Sequence, residues 1–220
     1  MDIIGNFKSG WNSVMHPNQN TGKKMSIEES LKMYYMFSVL PVVLLIVLGA
    51  IAVSLLAGVL SLLPGIGGML GAIGGGIGII WVIVTAIVYF WILVPIGILV
   101  DAALYHLVGG AILKWFKGGY SGTVTAVTYQ MMTVVSWIWL LVIPVIGALA
   151  VAILALWSLY VLFASLAAQH GTSKGKAFAV WLIWVVIGVI LSAILGFAMS
   201  AVVGGLIPST GVPSYNTAYP

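Results

Sequence analysis

The chain contains long uncharged apolar stretches, and each of its eight lysines lies outside them. A transmembrane helix needs about 20 consecutive apolar residues, and each stretch provides at least that many. We therefore predict an all-α fold, a polytopic integral membrane helical bundle with five transmembrane helices. The predicted spans are Phe37–Leu63, Ile77–Val100, Thr123–Ile143, Val145–Ala168 and Ala177–Val203.

The positions of the lysines predict how these spans are oriented. Four precede the first span, two separate the second from the third, and two separate the fourth from the fifth. Because loops on the cytoplasmic side retain Lys and Arg, the pattern predicts an inside N-terminus and an outside C-terminus. The predicted organisation is an inside-facing segment over residues 1–36, a membrane domain over 37–203 and an outside-facing tail over 204–220.

Composition restricts the class of protein independently. The chain is 62% hydrophobic and 5% charged, which is far from the composition of soluble domains. Its net charge of +4 comes from segments predicted to face inside, so it indicates orientation and contact with membrane lipids rather than nucleic-acid binding. Because cysteine is absent, disulfides, iron–sulfur clusters and thiol catalysis are excluded.

Two apolar stretches are too long for one crossing. Thr123–Ala168 would measure about 69 Å as one helix, against a hydrocarbon core of about 30 Å. Pro144 and Gly147 are the residues that can reverse it, so they predict a helical hairpin. The other overlong stretch begins with the second span. We predict that this span ends near residues 95–100 and that a separate surface helix follows over Asp101–Phe116.

The N-terminal residues predict two helices. Ile3, Ile4, Phe7, Trp11 and Val14 recur at helical spacing, which predicts an apolar face lying on the membrane surface or on the bundle. Ser26 followed by Glu29 forms the pattern of a capping box, so a helix is predicted to begin at Ile27.

Glycine and serine suggest two further features. The Gly-rich segment Pro64–Gly76 lacks the Lys-Ser/Thr of a phosphate-binding loop, and we interpret it as a flexible outward-facing connector. In the last span, small residues recur every four positions and predict close helix packing, either within the bundle or between copies in a homo-oligomer. These helix-packing residues are Gly188, Ser192, Gly196, Ser200 and Gly204.

Ionisable residues near the membrane are the first candidates for function, and here they are Asp101, His106 and His170. Asp101 could pair with Lys114 or Lys117, and His170 could meet the terminal carbonyls of its helix. A proton-relay role is the alternative. No Ser/His/Asp set, metal-binding motif or pair of carboxylates is present, so the sequence predicts no enzyme, no cofactor and no metal.

Two inside-facing segments resemble the YIP (Ypt/Rab-interacting-protein) membrane-domain family. Residues 102–130, AALYHLVGGAILKWFKGGYSGTVTAVTYQ, resemble the family's passage from the second to the third span. Residues 166–179, LAAQHGTSKGKAFA, resemble its connection between the fourth and fifth spans, and the Trp11…His16-Pro17 opening resembles its N-terminal segment.

This resemblance implies a non-enzymatic protein that organises membranes or acts as a trafficking-type scaffold, with a small GTPase or other membrane proteins as partners. The membrane would be the cell membrane, or an endomembrane in a eukaryote. The alternative is a small transporter or channel-like protein whose pathway passes Asp101 and the Gly-rich connector.

Overall fold

The computed structural model describes residues 3–62, 67–143 and 145–206, and this part of the chain contains helices and no strand. The chain forms two units, Met1–Trp181 and Leu182–Pro220, and each is described by itself. The helices are α1 Ile3–Met15, α2 Pro17–Asn20, α3 Ile27–Ser61, α4 Gly67–Val88, α5 Val94–His106, α6 Tyr120–Trp137, α7 Ile146–His170 and α8 Lys174–Leu206.

The predicted fold class is confirmed, because five helical segments are long and apolar enough to cross a membrane. They are Ile27–Ser61, Gly74–Ile112, Tyr120–Val142, Ile146–His170 and Lys174–Phe197. Large apolar side chains such as Leu55 and Leu149 are 68% and 62% exposed, as expected for surfaces that lipid covers. The orientation in the bilayer stays a prediction.

Helix α1 packs on the bundle, the second of the two placements that its apolar spacing predicts. The Phe7 ring stacks on Phe37 of α3 at 4.9 Å between centroids, and Trp11 meets Trp137 of α6 at 5.3 Å. Val14 is fully buried, and its carbonyl accepts a hydrogen bond of 3.2 Å from Trp157 Nε1. The N-terminal helix is therefore part of the first unit's core.

Helix α3 begins where the sequence predicts. The Ser26 hydroxyl accepts a hydrogen bond from the Glu29 N–H at 3.1 Å, and Glu29 Oε2 accepts one from the Ser26 N–H at 2.8 Å. This completes the capping box and satisfies two N–H groups at the helix start. Because α3 then continues through residue 36 to Ser61, the predicted boundary between residues 36 and 37 lies inside a continuous helix.

The Gly-rich segment is not a flexible connector, which corrects the prediction from composition. Residues 63–66 lie outside the described part, but from Gly67 onward the chain is helical. Three glycines of α4 face small or branched residues of α3. The close pairs are Gly71 with Ser61, Gly75 with Ala57 and Gly78 with Val53. In lipid, small residues allow helix backbones to approach and gain van der Waals contact, which offsets the low helix propensity of glycine.

Leucine at Gly71 should push α3 and α4 apart, whereas leucine at Gly76 should be tolerated. A Cβ atom on Gly71 would lie 2.8 Å from the Ala57 carbonyl oxygen and 2.8 Å from Ser61 Cβ, but one on Gly76 would meet nothing within 4 Å. We expect Gly71→Leu to lower the free energy of unfolding by about 1–3 kcal/mol. Thermal unfolding of both variants in detergent tests this, and equal melting temperatures would contradict the packing assignment.

The second membrane helix continues beyond its predicted end. Helices α4 and α5 join through a π-helical turn at Tyr89–Leu93, and a second π turn at Leu107–Ile112 follows α5. The separate surface helix predicted over Asp101–Phe116 does not form, because no residue there interrupts the helical hydrogen bonds before Leu113. Tyr34 donates a hydrogen bond to the Phe90 carbonyl at 2.8 Å, so the first π turn is tied to α3.

The predicted hairpin between α6 and α7 is confirmed. Helix α6 passes into a 3₁₀ turn at Ile138–Val142, and α7 begins at Ile146. Pro144 lies outside the described residues. Gly147 lies so close to the Leu140 carbonyl that no side chain fits between them, and Val145 adopts a positive φ of 61°. The tight reversal therefore depends on glycine at position 147.

The small-residue stripe of the last span lies in the second unit. Gly188, Ser192, Gly196, Ser200 and Gly204 all lie on the continuous helix α8, at the spacing that places them on one face. The unit contains no second described helix on which this face could pack, so the choice between bundle and homo-oligomer packing stays a prediction. Residues 207–220 of the predicted tail lie outside the described part.

The lysine pattern makes the orientation testable by single-cysteine labelling, since the natural chain has no cysteine. Cysteine at Lys117 or Lys174 should react with an impermeant maleimide only from the cytoplasmic side. Cysteine at Leu62, which is 81% exposed at the end of α3, should react only from the opposite side. Labelling of Lys117→Cys and Leu62→Cys from one side would contradict the predicted crossing by the second span, Gly74–Ile112.

Candidate functional site

Two of the three predicted site residues, His106 and His170, meet at one threonine. Thr123 Oγ1 lies 3.1 Å from His106 Nδ1 and 2.9 Å from His170 Nε2. Because a hydroxyl has one hydrogen, at least one imidazole must donate its N–H to the threonine oxygen. His170 is 1% exposed and Thr123 is fully buried, whereas His106 is half-buried, so the Thr123–His170 part of this His–Thr–His bridge is shielded from solvent.

Each member of the bridge comes from a different helix. His106 is the last residue of α5, Thr123 lies in the first turn of α6, and His170 is the last residue of α7. The Phe116 ring stacks on the His170 imidazole at 4.2 Å between centroids with an angle of 8° between planes. On its other side Phe116 covers Gly109, where a Cβ atom would come within 2.5 Å of the phenyl ring.

Glycines hold the loop before α6 against the end of α7. A Cβ atom on Gly118 would lie 2.6 Å from the Gln169 carbonyl oxygen and 2.8 Å from His170 Nδ1. At Gly122 it would lie 3.3 Å from Gln169 Cβ. The close approach of these segments therefore requires glycine at position 118.

The N-terminal segment covers the same end of the bundle. Gln169 Nε2 donates to the carbonyls of Thr21 and Lys23 at 2.7 and 2.8 Å. Lys174 Nζ donates to Asn18 Oδ1 at 2.7 Å. These bonds fix the loop between α2 and α3 on the carboxyl end of α7, and α2 on the start of α8.

Asp101 is not part of the bridge. It is half-buried on α5, and the described part of the chain contains no ion pair between it and Lys114 or Lys117, so the predicted pairing is wrong. The predicted role of His170 is also wrong. The N–H groups of Gly171, in a left-handed conformation, and of Thr172 bond to the Ala167 carbonyl at the helix end, while the imidazole points inward.

Two polar cavities lie beside this region. One of about 380 Å³ has Asn12, Ser13, Gln19, Lys23 and Tyr129 among its lining residues. A smaller one of about 90 Å³ is lined by Lys24, Met25, Gly118, Gly119, Ser121, Gly122 and Gln169. Neither is lined by His106 or His170, so the bridge is separate from both cavities.

The chemistry available to the bridge is limited to hydrogen bonding and proton exchange. No carboxylate among the described residues bonds to either imidazole, and no group of three His, Cys, Asp or Glu side chains there could hold a metal ion. Sequence reasoning missed Thr123, Phe116 and Gly118. The available signal was the run of hydroxyl residues on α6, which includes positions 123, 125 and 128, since buried hydroxyl groups need partners.

The helices and their exposed apolar surfaces are those of a multi-pass helical membrane protein. No family model matches this chain, and neither a curated protein nor a solved structure does.

Proposed function

We propose that this chain is a non-enzymatic, membrane-organising scaffold protein of the YIP kind. The observation that carries the proposal is the convergence of the three segments that resemble that family. The first supplies His106 and Thr123, and the second supplies Gln169 and His170. The third, Trp11…His16-Pro17, leads through α2 into the loop whose Thr21 and Lys23 carbonyls accept hydrogen bonds from Gln169.

The character of the buried polar groups supports a structural role. Thr123 joins the two imidazoles, and Ser30 Oγ of α3 lies 2.9 Å from Thr125 Oγ1 of α6. Such interhelical hydrogen bonds between small polar side chains hold helices together in lipid. They connect the N-terminal half of α3, the end of α5, the start of α6 and the end of α7 on the lysine-bearing side. A stable surface on that side suits the docking of a protein partner, for which the resemblance suggests a small GTPase.

A transporter is the second candidate, because the cavity of about 380 Å³ is polar and lies between the N-terminal segment and the helices α3 and α6. The transport pathway predicted from the sequence, which passes Asp101 and the Gly-rich connector, is less favoured. Asp101 and the Gly-rich segment belong to one continuous helical run and lie roughly 35 Å apart along it. They therefore cannot line one local constriction.

Photocrosslinking in native membranes tests the scaffold against the transporter. A photoreactive residue at Lys117, exposed on the lysine-bearing side, should capture a defined protein, whereas one at Ile51 on the apolar face of α3 should capture lipid. Recovery of the same protein from both positions, or of none from Lys117, would contradict the scaffold. Selective solute flux in vesicles that contain the purified protein would support the transporter instead.

A further inference from the structure

Helix α6 begins without the side chains that usually satisfy a helix start. Its N-cap residue is Gly119, which has no side chain to accept a hydrogen bond, and the first turn contains no acidic residue. The first N–H groups of a helix have no intrahelical acceptor, and together with the helix dipole they attract an anion. This start therefore lacks an acceptor that the chain itself could have supplied.

The start of α6 faces the cavity of about 90 Å³. Gly118, Gly119, Ser121 and Gly122 line one side of it, and Lys24 of the N-terminal segment lines another. Lys24 is exposed and brings a positive charge to the side where the helix N–H groups lie. A positive charge and the N-terminus of a helix around one small space are complementary to a phosphate group.

Gln169 supplies an independent indication of a ligand. Its side chain is 5% exposed and lines the same cavity. Its Nε2 is used in bonds to Thr21 and Lys23, which identifies Oε1 as the remaining acceptor, and this buried oxygen has no hydrogen-bond partner. Leaving a buried acceptor unpaired is unfavourable, so a ligand hydroxyl that donated to it would be favoured.

We propose that this cavity binds a phosphate group that carries a hydroxyl donor, with Lys24 and the α6 N-terminus holding the phosphate and Gln169 Oε1 accepting from the hydroxyl. Hydrogen phosphate has this chemistry, and so does the glycerol phosphate headgroup of phosphatidylglycerol. The proposal does not depend on the scaffold function.

Binding to the full-length protein can be measured with two probes. The first is inorganic phosphate added to the detergent-solubilised protein, with sodium chloride at equal ionic strength as the reference. The second is phosphatidylglycerol in phosphatidylcholine nanodiscs, compared with nanodiscs of phosphatidylcholine alone. For both, thermal unfolding reports binding, since a ligand that binds the folded state raises the melting temperature.

Three variants separate this site from general charge effects. Lys24→Gln should weaken binding about tenfold, because it removes a charge-assisted hydrogen bond. Lys32→Gln makes the same change of net charge at an exposed residue of α3 and should bind as the natural chain does. Gly119→Asp should abolish binding without harming the fold. Its Cβ atom meets nothing within 4 Å, and its carboxylate would cap α6 where the phosphate would bind.

The outcomes distinguish the two sources of phosphate. Stabilisation by inorganic phosphate that Lys24→Gln and Gly119→Asp remove would support a soluble phosphate ligand. The same dependence seen only with phosphatidylglycerol would support a lipid headgroup. The proposal is overturned if neither probe stabilises the natural chain, or if Lys24→Gln and Lys32→Gln respond alike to the probe that does.

Discussion

Serine at Gly118 should destabilise the protein strongly, whereas serine at the adjacent Gly119 should not. Any Cβ atom at position 118 enters the space between the Gln169 carbonyl oxygen and His170 Nδ1, at 2.6 and 2.8 Å. Neither neighbour can retreat easily, because one is backbone and the other is stacked on Phe116. We expect a loss of about 1–3 kcal/mol in the free energy of unfolding, measured by thermal or denaturant unfolding in detergent.

Gly119→Ser is the matched control for this prediction. Its Cβ atom would meet nothing within 4 Å, and serine is a better N-cap than glycine, so a small gain in stability is expected for α6. Equal destabilisation of the two variants would show that the loop before α6 tolerates no side chain at either position. The specific contact of Gly118 with the end of α7 would then lose its support.

Removing the bridging hydroxyl should produce the second large effect. Thr123→Val keeps the shape of the side chain but leaves His106 Nδ1 and His170 Nε2 without their shared partner. Each buried polar group that loses its hydrogen bond costs about 1–3 kcal/mol. The variant should therefore unfold at a lower temperature than the natural chain, while its helix content by circular dichroism stays the same.

Thr128→Val provides the comparison on the same helix. Thr128 is fully buried, as Thr123 is, but its hydroxyl has no hydrogen-bond partner in the structure. Replacing that hydroxyl by a methyl group removes an unpaired polar group, so Thr128→Val should be neutral or stabilising. If Thr128→Val destabilises as much as Thr123→Val does, the loss reflects the poorer fit of a methyl group in place of a hydroxyl on this helix, and the bridge contributes nothing measurable.

Features encoded over a few residues could be predicted from the sequence. The capping box at Ser26 and Glu29 needs only neighbours along the chain, and the apolar spacing of α1 predicts one buried face. Composition predicts a flexible connector for the Gly-rich segment, which is wrong, because composition does not show what the glycines pack against. Whether Gly71 is flexible or packed depends on α3, whose Ala57 and Ser61 lie opposite it only after the two helices have turned together.

The candidate site was predictable only in part, for the same physical reason. His106 and His170 could be chosen as ionisable residues near the membrane, but their contact is made through Thr123, and 47 positions separate Thr123 from His170. No pattern of neighbouring residues in the sequence predicts such a contact. Asp101, as a carboxylate, was more strongly expected to have a partner than either histidine. It lies in a continuous helical run from Gly67 to Ile112 instead of in a surface helix, so its neighbours differ from those that the prediction assumed.

The docking of α1 and α2 has a consequence for the order of events during synthesis. The Val14 carbonyl bonds to Trp157, and Asn18 bonds to both Tyr160 and Lys174, at sequence separations of 142 to 156 positions. The partners of these bonds are therefore synthesised long after Val14 and Asn18 themselves. Until Trp157 has been made, the part of α1 around Val14 must be covered by lipid, by a chaperone or by provisional contacts, whereas the contact of Phe7 with Phe37 of α3 can form early.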